Sequence, residues 1–182
     1  AFEAVGKHGT LEAGGLRASF TSVYYGTAVV SGRLGASACS VGVRLVEPGV
    51  YAIVGVLPEG GKLDARLGSQ PGAVGVWSDG RLRVDGKPER RDLAKWHSAG
   101  RRLTLAWDGR GTLRVSLDGG QLLLERRGSF EGCSFAVGGR RGATWELESD
   151  SRVGGADGEA KAEAEAKAEA EAKAKAEAEA KA

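Results

Sequence analysis

The sequence predicts an all-β fold, a bent antiparallel β-sandwich occupying residues 1–150, followed by a charged tail over 151–182. Three observations carry this. Short runs rich in Val, Leu and aromatic residues recur at close spacing through the first 150 residues. Gly and Asp-Gly pairs punctuate them, and no stretch before 150 sustains a helical apolar period beyond two turns. Many short runs separated by turn residues form the pattern of a sandwich or barrel.

The runs lie at 16–20, 27–31, 41–46, 50–56, 73–77, 81–84, 102–107, 112–117, 121–125, 134–137 and 144–148. Alternation is clearest in the later ones. Leu103, Leu105 and Trp107 share one parity, as do Leu113, Val115 and Leu117, and Trp145 pairs with Leu147. Successive strand side chains point to opposite faces, so these residues are expected in the core and the intervening Arg, Thr, Ser and Glu in water. Asp79-Gly80, Asp85-Gly86, Asp108-Gly109 and Asp118-Gly119 sit at the ends of runs, where Asp-Gly suits the positive φ of hairpin turns. Residues 91–99 are expected to form a loop.

After Asp150 the composition changes to repeats of Ala, Glu and Lys with nothing large and apolar. These are strong helix formers, and Glu163 with Lys167 and Glu169 with Lys173 lie four apart in the favourable order. A strict period of two spreads charge around every side of such a helix, leaving no face to dock. A disordered or partly helical, solvent-exposed tail is expected. Residues 168–182 also resemble ionic self-complementary peptides, which allows weak self-association.

The tail carries six basic and eight acidic residues, leaving 20 and 16 in the first 150. A charge of +4 supports solubility and is too small and too dispersed to point to nucleic acid. Sixteen of those 20 are Arg, with doublets at Arg90/Arg91, Arg101/Arg102, Arg126/Arg127 and Arg140/Arg141. Coding bias explains such a skew; so does a surface that grips carboxylates or phosphates, which Arg holds through two parallel hydrogen bonds.

Catalytic and metal chemistry finds little material. Cys39 and Cys133 are far apart and lack partners at zinc-ligand spacing, so they read as buried thiols. His8 and His97 are the only histidines, and no nucleophile elbow, zinc-helix motif or dinucleotide loop occurs. No metal, cofactor or catalytic residue is assigned. There is no apolar run long enough to span a membrane, no signal-peptide layout and no Asn for a glycosylation sequon. An intracellular, cytoplasmic setting is the expectation.

The segments 41–45 with 50–56, 74–80, 100–120, 134–138 and 145–147 together resemble the SPRY/B30.2 family. Val41-Gly-Val-Arg-Leu45 followed by Val50-Tyr-Ala-Ile-Val-Gly-Val56 is similar to its paired strands ending in Ile-Gly-Val. Val74-Gly-Val-Trp-Ser-Asp-Gly80 resembles its glycine-rich strand and turn. The segment from Gly100 to Gly120 resembles its most recognisable stretch, a strand, an Asp, then Gly-Thr-Leu and a closing Asn-Gly-type turn. Ser134-Phe-Ala-Val-Gly138 and Trp145-Glu-Leu147 stand where the last strands lie. The chain departs from the pattern at Val41-Gly42, Arg101 and Phe135.

The resemblance covers roughly 10–148 and implies a non-catalytic module that binds another protein or peptide through loops at one end of the sandwich. Rivals on related sandwiches are a carbohydrate-binding lectin-like domain, a hydrolase with paired carboxylates, and an architectural component of a larger assembly. The expected contact surface is Trp77, Asp79, Arg81, Arg90 and Arg91, with an acidic peptide as the fitting partner. Trp77 has the opposite parity to Val74 and Val76 and lies beside a turn, so it is the tryptophan expected to be exposed.

Overall fold

A computed structural model describes residues 1–89 and 92–148. The expectations for Arg90, Arg91 and the 151–182 tail fall outside the described residues. Two seven-stranded sheets stack on one another. The first runs in the order β1 (Phe2–Val5), β4 (Gly26–Val30), β13 (Ser134–Arg140), β6 (Tyr51–Leu57), β7 (Val74–Trp77), β8 (Leu82–Val84) and β9 (Lys87–Glu89). The second runs β12 (Gln121–Arg127), β11 (Thr112–Leu117), β10 (Arg102–Trp107), β5 (Cys39–Pro48), β14 (Ala143–Leu147), β3 (Arg17–Phe20) and β2 (Thr10–Glu12). Every pairing is antiparallel. Among the described residues the sole helical element is one 3-10 turn at Ala13–Gly15, and no helix is long and apolar enough to cross a membrane.

The alternation read from the sequence sets the main core. Val41, Val43, Leu45, Leu103, Leu105, Trp107, Leu113, Val115, Leu117 and Trp145 project from the second sheet into one buried cluster. Ala28, Val30, Ala52, Val54, Val56, Val74, Val76, Phe135 and Val137 meet them from the first. All four Asp-Gly pairs are turns. Asp85-Gly86 and Asp118-Gly119 have positive φ at both residues, the signature of the tightest hairpins, whereas at Asp79-Gly80 and Asp108-Gly109 only the glycine does. In these latter two the Asp side chain caps the turn by accepting a backbone N–H two residues on, from Arg81 at 3.3 Å and from Arg110 at 2.7 Å.

A second apolar layer lies on the opposite face of the first sheet. Val29, Ile53, Leu57, Trp77 and Ala136 point away from the main core and pack under Leu67 and Ala73 of the 58–73 connection. This connection approaches the sheet backbone closely. Gly75 sits beneath it, and a Cβ there would stand 2.3 Å from the Leu67 carbonyl oxygen. Hydrogen bonds from Thr27 N to Leu63 O at 2.8 Å and from Thr27 Oγ1 to Ala65 O at 3.0 Å tie the connection to β4.

Candidate functional site

Antiparallel register brings one set of strand ends together at one end of the first sheet. Strand β4 begins there, β13 ends, β6 begins and β7 ends. Arg140 faces Tyr51, Gly139 faces Gly26, and Ile53 faces Trp77. Period-two alternation then puts Tyr25, Arg140, Tyr51 and Trp77 on the outer face, in a row across four adjacent strands. The flanking connections are bound into the same end. Arg141 N donates to Ser22 O at 2.8 Å, Val50 N to Arg140 O at 3.3 Å, and Ser78 N to Ala52 O at 2.9 Å.

The row is a stack of guanidinium groups on aromatic rings. Arg140 lies 4.8 Å from the ring centroids of both Tyr25 and Tyr51. Arg66, arriving from the 58–73 connection, lies 4.9 Å from Tyr25. Arg81, from the β7–β8 turn, covers Trp77 at 4.5 Å and Tyr51 at 5.2 Å. The rings touch one another too: Tyr51 meets Trp77 edge-on at 5.3 Å and Tyr25 is tilted against it at 5.6 Å. Guanidinium groups at these distances from aromatic rings gain from the attraction between the cation and the ring face.

The charges at this end are unequal in their compensation. Arg81 pairs with Asp79 at 2.6 Å. Burial pushes the Asp79 carboxyl up, but the hydrogen bonds and charge of Arg81 outweigh it and hold the group below its ordinary range. Among the described residues, no carboxylate lies within 4.0 Å of Arg66 or Arg140. Around this pair, three apolar side chains stay in solvent. Tyr24 is 65% exposed, Val23 52% and Val50 38%.

Of the residues expected to bind, Trp77, Asp79 and Arg81 come together at this end. One expectation is corrected: Trp77 is 2% exposed, not an open contact. Its parity is as read, outward from the main core, but Tyr25, Tyr51, Arg81 and the 58–73 connection roof it over. Reading the sequence missed Tyr25, Tyr51 and Arg66. Arg140 was visible only as half of a doublet. Register between strands far apart in sequence is what collects them, and no local signal encodes it.

One nucleophile-to-base distance occurs nearby. Ser78 Oγ and His97 Nδ1 are 2.8 Å apart. The serine is fully buried and its oxygen also accepts the Ala52 N–H at 3.3 Å, so the contact closes the β7 end and offers no hydroxyl to a substrate. Cys39 and Cys133 are both buried free thiols. No group of three His, Cys, Asp or Glu suited to a metal ion occurs among the described residues.

No protein-family model matches this sequence, and no curated protein does. Solved structures do. A human SPRY domain superposes with a TM-score of 0.70 at 21% identity, over 83% of this chain and 100% of its own. The SPRY domain of human HERC1 gives 0.68 at 13% identity, over 84% and 100%. The TRIM65 PSpry domain gives 0.61 at 17% identity, over 79% and 86%. Two antiparallel seven-stranded sheets in this order, together with these superpositions, show that the chain has the fold of a SPRY-type β-sandwich.

Proposed function

We propose that this domain is a non-catalytic interaction module that binds an acidic protein or peptide segment at the tyrosine–arginine end of its first sheet. The observation carrying this reading is the pair Arg66 and Arg140, stacked on Tyr25 with no carboxylate partner among the described residues. Two uncompensated guanidinium groups beside exposed Tyr24, Val23 and Val50 combine charge with apolar area. Arg and Tyr are the residue types that most often dominate interface energy, and loops on a rigid sheet are where binding usually sits. The SPRY-type fold supports the same reading, as does the slight positive charge of the first 150 residues.

The partner is found by pull-down with the whole chain followed by mass spectrometry, and its affinity is then measured by calorimetry. Arg140→Ala and Tyr24→Ala are each expected to weaken binding about tenfold or more, equivalent to about 1.4 kcal/mol. Circular dichroism checks that both variants fold. Affinities within twofold of the parent for both would move the binding surface elsewhere.

A further inference from the structure

Beside the row lies a groove of about 360 Å³ whose walls carry His8, Tyr24, Tyr25, Arg66, Ser69 and Arg83. Its lining is mixed in a specific way. His8 and Tyr24 form an aromatic wall, their ring centroids 5.1 Å apart at 32°. The lining also carries two cations. Arg66 reaches in from the braced 58–73 connection, and Arg83 from β8.

Neither cation has a carboxylate partner among the described residues, where none lies within 4.0 Å of Arg66 or Arg83. Arg83 spends one nitrogen on the Gly86 carbonyl at 2.8 Å, while its Nε is closed off from water without an acceptor. The one acid in the lining, Asp64, is turned to Lys7, accepting its backbone N–H at 2.7 Å with the ammonium 4.0 Å away.

The groove is also set in place before any ligand arrives. Gln70 clamps the connection through Lys62, accepting its N–H at 2.8 Å and donating to its carbonyl at 3.0 Å. Ser69 N and Oγ both bond the Arg66 carbonyl, at 2.9 and 2.6 Å. The Arg66 guanidinium is then held by stacking on Tyr25. A guanidinium already held on a ring loses less freedom on meeting an oxyanion than a free one does.

We propose that this groove receives a phosphorylated side chain of a peptide partner, the phosphoryl oxygens against Arg66 and Arg83 and the side chain's body against the His8–Tyr24 wall. A dianion matches two uncompensated guanidinium groups, which a single carboxylate does not, and Arg binds phosphate through paired hydrogen bonds. The aromatic wall explains why the phosphate arrives on a side chain and not as a free ion. This proposal rests on the peptide-binding reading above and narrows its ligand.

The test uses the full chain, isotopically labelled, titrated at constant ionic strength with phenyl phosphate, benzoate and inorganic phosphate while amide and arginine side-chain NMR signals are followed. Phenyl phosphate is expected to shift Arg66, Ser69 and Arg83 and to bind at least tenfold more tightly than either comparison compound. Arg66→Gln, at an exposed position, is expected to abolish that preference with an unchanged melting temperature. Equal binding of phenyl phosphate and benzoate would overturn the proposal, and so would equal binding of inorganic phosphate or an undiminished preference in Arg66→Gln. The two readings separate cleanly. A partner that depends on Arg140 and Tyr24 but gains nothing from phosphorylation removes the groove proposal alone. A groove that selects phenyl phosphate while Arg140→Ala leaves partner affinity unchanged removes the broader Arg140 surface alone.

Discussion

Arg140 and Tyr51 face each other across the β13–β6 pair, the guanidinium 4.8 Å from the ring centroid. They are 89 positions apart in the chain, and only the antiparallel register makes them neighbours. The same guanidinium touches Tyr25, which precedes β4 on the far side of β13. Arg140 thus staples the ends of three strands, and its Nε is buried without a hydrogen-bond partner. Its ring contacts thus come at the expense of one hydrogen bond, which leaves a buried donor unsatisfied.

Arg81 acts as the lid of Trp77. Arg81→Ala removes the group 4.5 Å above the indole, while Asp79→Asn removes only the ion pair. Arg81 is 57% exposed, so the stability loss from its removal is expected at about 1 kcal/mol or less. Trp77 then becomes accessible. Acrylamide quenching of tryptophan fluorescence should rise in Arg81→Ala and stay at the parent level in Asp79→Asn, since Trp96, Trp107 and Trp145 are all buried. Equal quenching in both would place the cover of Trp77 on the tyrosines instead.

Trp107 anchors the other end of the main core. It is 5% exposed, its Nε1 donates to Gly35 O at 2.6 Å, and its ring meets Phe130 edge-on at 6.1 Å. Trp107→Ala is expected to cost about 3 to 5 kcal/mol in urea unfolding, the range of large core truncations that leave a cavity. A change below about 1 kcal/mol would mean that the surrounding strands close over the gap.

Asp108 makes stability depend on acidity. The Thr112 backbone N–H, then its hydroxyl and the Arg110 N–H, hold the carboxyl at about 2 against an ordinary 3.8. The folded chain therefore binds this proton less readily than the unfolded one. Ionised Asp108 stabilises the fold above pH 3.8, and that contribution is lost as the pH falls through 2. Asp108→Asn is expected to flatten the acid limb of the stability curve across this window. A limb of unchanged slope would assign acid sensitivity to Glu146 and Asp118, whose carboxyls are also lowered, the first by Arg17 and Arg44 and the second by the Arg102 N–H.

The Ala, Glu and Lys repeats after 158 offer no large apolar side chain to bury. Deleting 153–182 is accordingly expected to leave the free energy of unfolding within about 0.5 kcal/mol of the parent in chemical denaturation. A larger loss would reveal that the tail docks.

Much of the fold was legible because its signals are local. Alternation at 103–107 and 113–117 and the Asp-Gly pairs give strands and turns directly, and the structure places each where the pattern does. Strands β1, β2 and β9 were not read, being short edge strands of 3 or 4 residues with little alternation to display. The candidate site was legible only in part. Asp79 and Arg81 flank a recognisable turn, but the burial of Trp77 depends on a connection 58–73 that reads as a polar loop and folds as a second layer. Its apolar residues, Leu63, Leu67 and Ala73, have no period, because a loop that covers a sheet obeys no strand or helix repeat.

That second layer has a narrow point at Gly75, and substitution there tests whether it holds the tyrosine–arginine end in shape. Gly55 and Gly75 face each other across the β6–β7 pair, giving the outer face a floor without side chains. Leu67 rests on it, its carbonyl oxygen 2.3 Å from where a Gly75 Cβ would stand. Both atoms belong to backbone or to its first branch, so neither can rotate away, and the connection must lift. Gly75→Ala is expected to cost about 1 to 3 kcal/mol, as in other overpacked sites. Because Arg66 is the neighbour of Leu67, lifting the connection also withdraws the guanidinium from Tyr25. Gly75→Ala should therefore weaken the partner at least as much as Arg66→Gln while circular dichroism reports an intact sandwich. Unchanged stability and affinity would show that the connection adapts freely and that its close seat on Gly75 does not position the site.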